Sequence, residues 1–156
     1  VRIISGKKKI YIGRNFLCNS GIIFNPVGGN VTVLCTNGNG KIWIGNNVGV
    51  SNARIIASES ITIDDDVMIG ANCHIYDSDF HSLDYGMRML NPDPNIRTAP
   101  VRIKRGAFIG AHSLILKGVT IGEEAVIGAS SVVTHSVPDK EIWAGNPAKM
   151  IGKVSD

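Results

Sequence analysis

From Ile103 to Val133 every sixth residue is aliphatic: Ile103, Ile109, Ile115, Ile121, Ile127 and Val133. Two residues before most of them sits a small or β-branched side chain, at Ala107, Ser113, Val119, Ala125 and Ser131, and a glycine follows at Gly110, Gly122 and Gly128. An amphipathic helix would repeat its apolar residues every three or four positions, and an exposed strand every two. A sustained period of six predicts a parallel β-helix, in which each short strand forms one side of a coil. Ile and Val suit stacked inward sites on a pleated surface. The second inward site is crowded, which selects Ala, Ser, Val or Cys. Hydrogen bonds then run between coils, so one repeat cannot stand alone and stability grows by stacking.

Toward the N-terminus the beat is less regular. Ile12, Cys18 and Phe24 hold it, Pro26, Gly28 and Gly29 interrupt it, and Ile44, Val50 and Ile56 resume it. A seven-residue step from Ile56 to Ile63 places an insertion at one corner, after which Ile63, Ile69 and Ile75 continue. The interval from Ile75 to Ile103 is 28 residues, not a multiple of six, and it carries Pro92, Pro94 and Pro100 among Asn, Asp and Gly. That composition breaks strands, so residues 76–99 read as a loop thrown out of the coil. Loops of that length in a compact domain are usually functional or disordered. Residues 137–156, with Pro138 and Pro147, leave the beat. They read as a C-terminal cap: one irregular coil, then a short helix or an extended tail.

A chain of 156 residues fits one domain. The formal charge of +3 is small and scattered, which argues against a nucleic-acid partner; the one basic run, Lys7 to Lys9, reads as a guard on a strand edge. No apolar stretch is long enough to span a membrane, and no signal peptide is visible. Cys18, Cys35 and Cys73 form no C-x-x-C pair, and an odd, widely spaced set suits a reducing compartment, hence a cytoplasmic protein. Cys18 on the beat and Cys73 two residues before Ile75 read as core fillers.

The runs "IGNNVGV", "IDDDVMIGANCHI" and "IKRGAFIGAHSLILKGVTIGEEAVIGASSVVTHSVPDKEIWAGNPAKMIGKV" resemble the hexapeptide-repeat acyltransferases. Within that family they are most similar to the sugar and polysaccharide O-acetyltransferases related to galactoside and maltose acetyltransferases. The likeness covers roughly residues 42–154 apart from the loop, and the ending "G-N-P-A-K" after "I-G-A-S-S-V-V-T" marks coenzyme-A users of this fold. It implies a left-handed β-helix, an exception to the right-handed crossover rule. It also implies a homotrimer with active sites between adjacent subunits, and acetyl coenzyme A as acyl donor with no metal. Residues 1–41 depart from the pattern: they read as extra irregular coil where typical maltose and galactoside acetyltransferases carry a helical segment.

His81, in "Y-D-S-D-F-H-S", opens the loop. Acyl transfer from a thioester to a hydroxyl needs a base with a near-neutral pKa, which histidine supplies without much tuning. The resemblance places the family's catalytic histidine at His81. Asp77 and Asp79 flank it as carboxylates that orient the imidazole or bind sugar hydroxyls, or as turn residues. Asn72 matches an acceptor-contacting Asn of sugar acetyltransferases; its plain alternative is a corner Asn at positive φ. For the coenzyme, the resemblance places the Ala111 amide by the thioester carbonyl as an oxyanion donor and Phe108 beside the pantetheine arm. Ala129 and Thr134 fall farther along it, His135 near the phosphates, and Lys149 or Lys153 on phosphate charge. His112 and His74 read as structural.

Residues and resemblance together predict an acetyl-coenzyme-A-dependent O-acetyltransferase acting on a sugar or glycan precursor by direct attack in a ternary complex. No cysteine lies in the loop, which disfavours an acyl-cysteine intermediate. An N-acetyltransferase of an amino sugar nucleotide and a non-catalytic β-helix scaffold are the alternatives. The γ-class carbonic anhydrases share the fold but use an H-x-x-x-x-H pair, and successive histidines here are 7, 31 and 23 residues apart.

Overall fold

A computed structural model describes residues 1–6, 9–23, 25–27 and 31–155. Lys7, Lys8, Phe24, Gly28 and Gly29, to which the sequence reading gave roles, lie outside the described residues. The chain winds into a left-handed parallel β-helix of triangular section. Its first face stacks strands Arg2–Ile4, Val33–Thr36, Arg54–Ala57, His74–Tyr76, Leu114–Ile115 and Val132–Val133. The second face stacks Ile10–Ile12, Lys41–Ile44, Ser60–Ile63, Val101–Ile103 and Thr120–Ile121. The third stacks Leu17–Asn19, Gly49–Ser51, Met68–Ile69, Phe108–Ile109, Val126–Ile127 and Glu141–Gly145.

The six-residue beat becomes three inward columns, because each successive aliphatic residue falls on the next face. Ile63, Ile103 and Ile121 stack on the second face, Ile69, Ile109 and Ile127 on the third, and Ile75, Ile115 and Val133 on the first. All nine are buried, as are the small partners Ala107, Ser113, Val119, Ala125 and Ser131. Burying Ile and Val side chains contributes roughly 1.5–3 kcal/mol apiece relative to leaving them exposed. Corners turn on residues at positive φ: Asn72, His112 and Ser130 repeat at the edge between the third and first faces.

One inward assignment is corrected. Ile56 does not continue the column; it is half-buried and pairs with Tyr76, while Ile55 is fully buried and pairs with Ile75. The corner after Val50 is one residue short, and a one-residue slip turns every side chain of a strand to the other face. Asn52 makes the short corner possible. Its backbone takes φ 44°, and its buried amide donates to the carbonyls of Asn25 and Val27 and accepts from the Gly21 amide. The register recovers through Ala57 and Ile61, both buried, before Ile63.

Residues 77–100 leave the coil between the first and second faces. Their base is a pair of antiparallel arms: the amide of Asp79 donates to the Arg97 carbonyl, that of Ala99 to the Asp77 carbonyl, and Ser78 bridges Thr98. Tyr76, at the loop's expected start, ends its strand. A single helical turn, Tyr85–Arg88, sits at the loop's outer end, its N-terminus capped by the Asp84 side chain. The C-terminal segment is neither helix nor extended tail. After a bridge at Val137 it forms a hairpin, Ala148–Lys153 folding back antiparallel on Glu141–Gly145 along the third face. This edge strand closes the last coil. Cys73 fills the core as expected and donates its thiol to the Gly110 carbonyl, while Cys18, in the outermost coil, is half-buried against Thr32.

Candidate active site

His81 is exposed on the loop, and the residues around it are held in place. Asp93 grips the next residue, accepting from both the amide and the hydroxyl of Ser82. Those two bonds hold the Asp93 carboxyl below its ordinary range, with a smaller contribution from the charge of His81. Arg88 donates to the Ser82 carbonyl from the helical turn. Phe80, at φ 63°, places its ring edge-on to Tyr76, centroids 5.1 Å apart. The turn bearing His81 is thereby tied to the first face on one side and to the far arm of the loop on the other.

The two aspartates expected beside His81 separate into different roles. Asp77 is fully buried, and its carboxylate oxygens accept from the amides of Ser58 at 2.7 Å and Glu59 at 2.8 Å. Its capacity is spent on the neighbouring coil and it has no exposure, so contact with an acceptor sugar is closed to it. Asp79 pairs with Lys117, Oδ1 to Nζ 2.7 Å, across to the next coil. Its Oδ2 is buried and has no hydrogen-bond partner among the described residues. An unsatisfied buried acceptor costs free energy until a donor arrives. Of the two aspartates, Asp79, two residues before His81 in the chain, is the one with an oxygen left unpaired, while the carboxylate on which the His81 charge acts is Asp93.

Asn72 lies at the opposite end of the His74–Tyr76 strand, at the edge between the third and first faces. It occupies a corner at φ 57°, and its side chain also works: Oδ1 accepts from Arg54 at 3.2 Å, and Nδ2 meets His112 Nδ1 at 3.2 Å. His74 points outward on the first face, half-buried and stacked with Tyr76. Burial, then the charges of Arg54 and His112, lower its pKa.

Of the residues expected to meet the coenzyme, Phe108, Ala111, Ala129 and Lys149 fall along one side. Phe108 is exposed on the third face beside a groove of about 120 Å³ that Met68 and Gly70 also line. Ala111 and Ala129 occupy successive corners at the adjoining edge, the Ser130 amide donating to the Ala111 carbonyl at 2.8 Å. The Ala111 amide donates no hydrogen bond among the described residues. A side chain at Gly70 would put its Cβ 2.6 Å from the Ala111 nitrogen, so glycine there keeps the corner at its close spacing. Lys149 pairs with Ala144 at this end of the hairpin, and Lys153 pairs with Glu141 at the other end, four residues away, about 13 Å along a strand. Thr134 and His135, hydrogen-bonded to each other at 2.8 Å, follow Val133 at the edge between the first and second faces. Within one chain they are separated from Ala129 by the width of the first face. His81 projects from that same edge, so one chain does not bring the base and the Ala111 corner together.

Sequence reasoning missed Arg54, Asp93 and Lys117. Each acts through a partner that is distant in sequence, and no local motif marks it. Two grooves of about 600 and 400 Å³ surround the stacked pair Tyr11 and Trp43 on the second face of the early coils, and no residue of the His81 loop lines them.

Residues 100–135 match the family described as bacterial transferase hexapeptide (six repeats). The chain is 32% identical over 152 residues to the Saccharomyces cerevisiae protein named "Putative acetyltransferase YJL218W", covering 96% of this chain and 72% of that one. It is 37% identical over 122 residues to the Escherichia coli protein named "Putative lipopolysaccharide biosynthesis O-acetyl transferase WbbJ", covering 74% of this chain. The hexapeptide-repeat acetyltransferase VCA0836 of Vibrio cholerae superposes with a TM-score of 0.75 at 28% identity, over 94% of this chain and 74% of that one. A further crystal structure of that protein is a complex with acetyl coenzyme A. Fold and relatives together define a hexapeptide-repeat transferase. The chain belongs to the hexapeptide-repeat acyltransferase family. It spans 62% of the length of the WbbJ relative.

Proposed function

We propose that this protein transfers an acetyl group from acetyl coenzyme A to a hydroxyl of a sugar or glycan precursor, as a cytoplasmic homotrimer. The observation that carries the reading is a histidine on an anchored loop, two residues along the chain from a buried carboxylate oxygen that lacks a partner among the described residues, on a fold whose neighbouring edge offers an unbonded corner amide. His81 takes the proton of the attacking hydroxyl as oxygen bonds to the thioester carbonyl carbon. Asp79, held by Lys117, accepts from the imidazole N–H and steadies the charged ring. The Ala111 amide donates to the oxyanion that forms. Collapse breaks the carbon–sulfur bond, and the imidazolium returns its proton to the departing thiolate. The balance needs no other reactant.

His81 and the Ala111 corner lie at different edges of one prism, so the complete site joins the loop of one subunit to the coenzyme edge of a neighbour. Phe108 and Ala129 line the pantetheine arm, with Lys149 toward the phosphates. Thr134, His135 and Lys153 meet the coenzyme from the other subunit of the cleft. Asn72 faces the acceptor from the first face.

The test is an acceptor screen that follows release of free thiol, with neutral sugars, amino sugars, acidic sugars and sugar nucleotides as arms. His81→Ala should lower transfer to the best hydroxyl acceptor by about a hundredfold or more with the fold intact. Transfer within a few-fold of wild type removes His81 from the role, and an amino sugar as the sole acceptor makes the reaction N-acetylation.

A further inference from the structure

We propose that the first face carries an oxyanion-binding subsite centred on Arg54, so that the acceptor is an acidic or phosphorylated sugar; this rests on the acetyltransferase reading above. Arg54 is half-buried on the strand Arg54–Ala57. Its Nη1 donates to Asn72 Oδ1 at 3.2 Å and lies 3.5 Å from His74 Nε2. Neither partner is an anion, and burial and the guanidinium itself lower the His74 pKa. Among the described residues no carboxylate lies within 4 Å of Arg54, although Arg102 has one, Asp64, and Arg105 has two, Glu123 and Glu124. A guanidinium carries five donors in a planar fork, and among the described residues only Nη1 has a partner.

The local chemistry makes that arrangement one-sided. The register neighbours of Arg54 and His74 in the same outward column are Val33 and Leu114, both apolar. A half-buried cation in such surroundings gains strongly when an anion arrives, because low local polarity strengthens the pairing. Asn72 and His74 fix the fork from one side and leave its remaining donors for a ligand. A planar fork suits a carboxylate or phosphate oxygen pair, bound through two parallel hydrogen bonds.

Position links the subsite to the chemistry. Asn72 joins Arg54 to His112 at the corner next to Ala111, while the charge of Arg54 also reaches Tyr76, whose ring contacts Phe80, the neighbour of His81. The guanidinium therefore sits on the face between the coenzyme edge and the loop bearing the base. An acceptor held there by a carboxylate or phosphate extends its ring hydroxyls toward the loop that bears His81 on the same subunit. A neutral sugar would leave the cation unpaired, which is the basis for discrimination.

Glucuronic acid, glucose 1-phosphate and glucose, titrated separately and followed by ligand-observed NMR, test this on the assembled protein. Coenzyme A binding is measured in parallel. At least one of the two anions should bind about tenfold or more tightly than glucose; which one does so distinguishes an acidic sugar from a phosphorylated one. Arg54→Gln, which keeps hydrogen-bonding capacity without charge, should abolish the preference, and Arg54→Lys should retain part of it. Thermal melting checks that both variants are folded. Equal binding of all three ligands, no anion binding at all, or a preference that survives in Arg54→Gln overturns the subsite. If coenzyme A binds normally in those cases, the acetyltransferase reading stands and only this inference falls. If coenzyme A fails to bind while the anion preference is present and sensitive to Arg54, the subsite stands and the transferase reading falls.

Discussion

Replacing Asp77 tests whether the base of the loop is built as a structural anchor. Its two oxygens take amide hydrogens from Ser58 and Glu59, on the coil below, at 2.7 and 2.8 Å inside a fully buried site. Hydrogen bonds to a charged acceptor contribute about 1.5–3 kcal/mol each, and the donors left behind are desolvated. Asp77→Ala therefore removes about 3–6 kcal/mol, and Asp77→Asn, which keeps one acceptor oxygen, about half of that. For a chain of this size each kcal/mol moves the melting temperature by roughly 2–4 °C, so the alanine variant should melt at least about 6 °C lower and the asparagine variant should fall between. Calorimetric melts at one fixed protein concentration are required, because assembly makes Tm concentration-dependent. Transfer should fall along with stability as the arms 77–79 and 97–99 lose their anchor, while coenzyme A binding stays near wild type. An alanine variant melting within about 2 °C of wild type would refute the reasoning, since two buried amides cannot lose their acceptors at so small a cost.

Gly70→Ala should destabilise by about 1–3 kcal/mol and weaken coenzyme A binding, because the new methyl meets backbone atoms of Ile109 and Ala111 and no flexible side chain; a melt and a titration indistinguishable from wild type would contradict the close corner spacing. The Cys73 thiol, which burial pushes up to about 11, should resist alkylation in the native protein at pH 8 while the half-buried Cys18 and Cys35 react; mass spectrometry of partly labelled protein reads the order. His74 should titrate below 6.5 in the folded protein, with burial as the main cause. The unfolded chain then binds the proton more readily, so the contribution of His74 to stability is present above pH 6.5 and is lost as pH falls below it. An NMR titration placing the ring at or above 6.5 would remove that contribution.

How much the sequence discloses depends on how local the cause is. Residues 103–133 were legible because each face of these coils takes one large inward aliphatic residue preceded by a smaller inward one, so the spacing alone carries the fold. The slip at Ile55 was not, since Ile55 and Ile56 are both apolar and either satisfies the pattern. What decides between them is a buried corner amide, Asn52, bonded to carbonyls 25 and 27 residues back. The loop was legible from its prolines, and His81 from the resemblance. The division of labour between Asp77 and Asp79 was not legible, because it depends on what the coils below and above present, Ser58 and Glu59 to one and Lys117 to the other. Arg54 escaped notice for the same reason. Its significance lies in having Asn72 and His74 beside it and, among the described residues, no carboxylate, which only the stacked coils reveal.

The central claim is that one edge of this β-helix holds coenzyme A while a separate loop supplies the base. Calorimetric titration of coenzyme A into the wild-type protein and into His81→Ala tests it most directly. Saturable binding with Kd below about 1 mM, the upper end of usual substrate constants, should appear in both and differ by no more than about threefold. This pairs with the hundredfold loss of transfer expected in the variant. No saturable binding by the folded, assembled wild-type protein would contradict the account and leave a β-helix that serves as a scaffold.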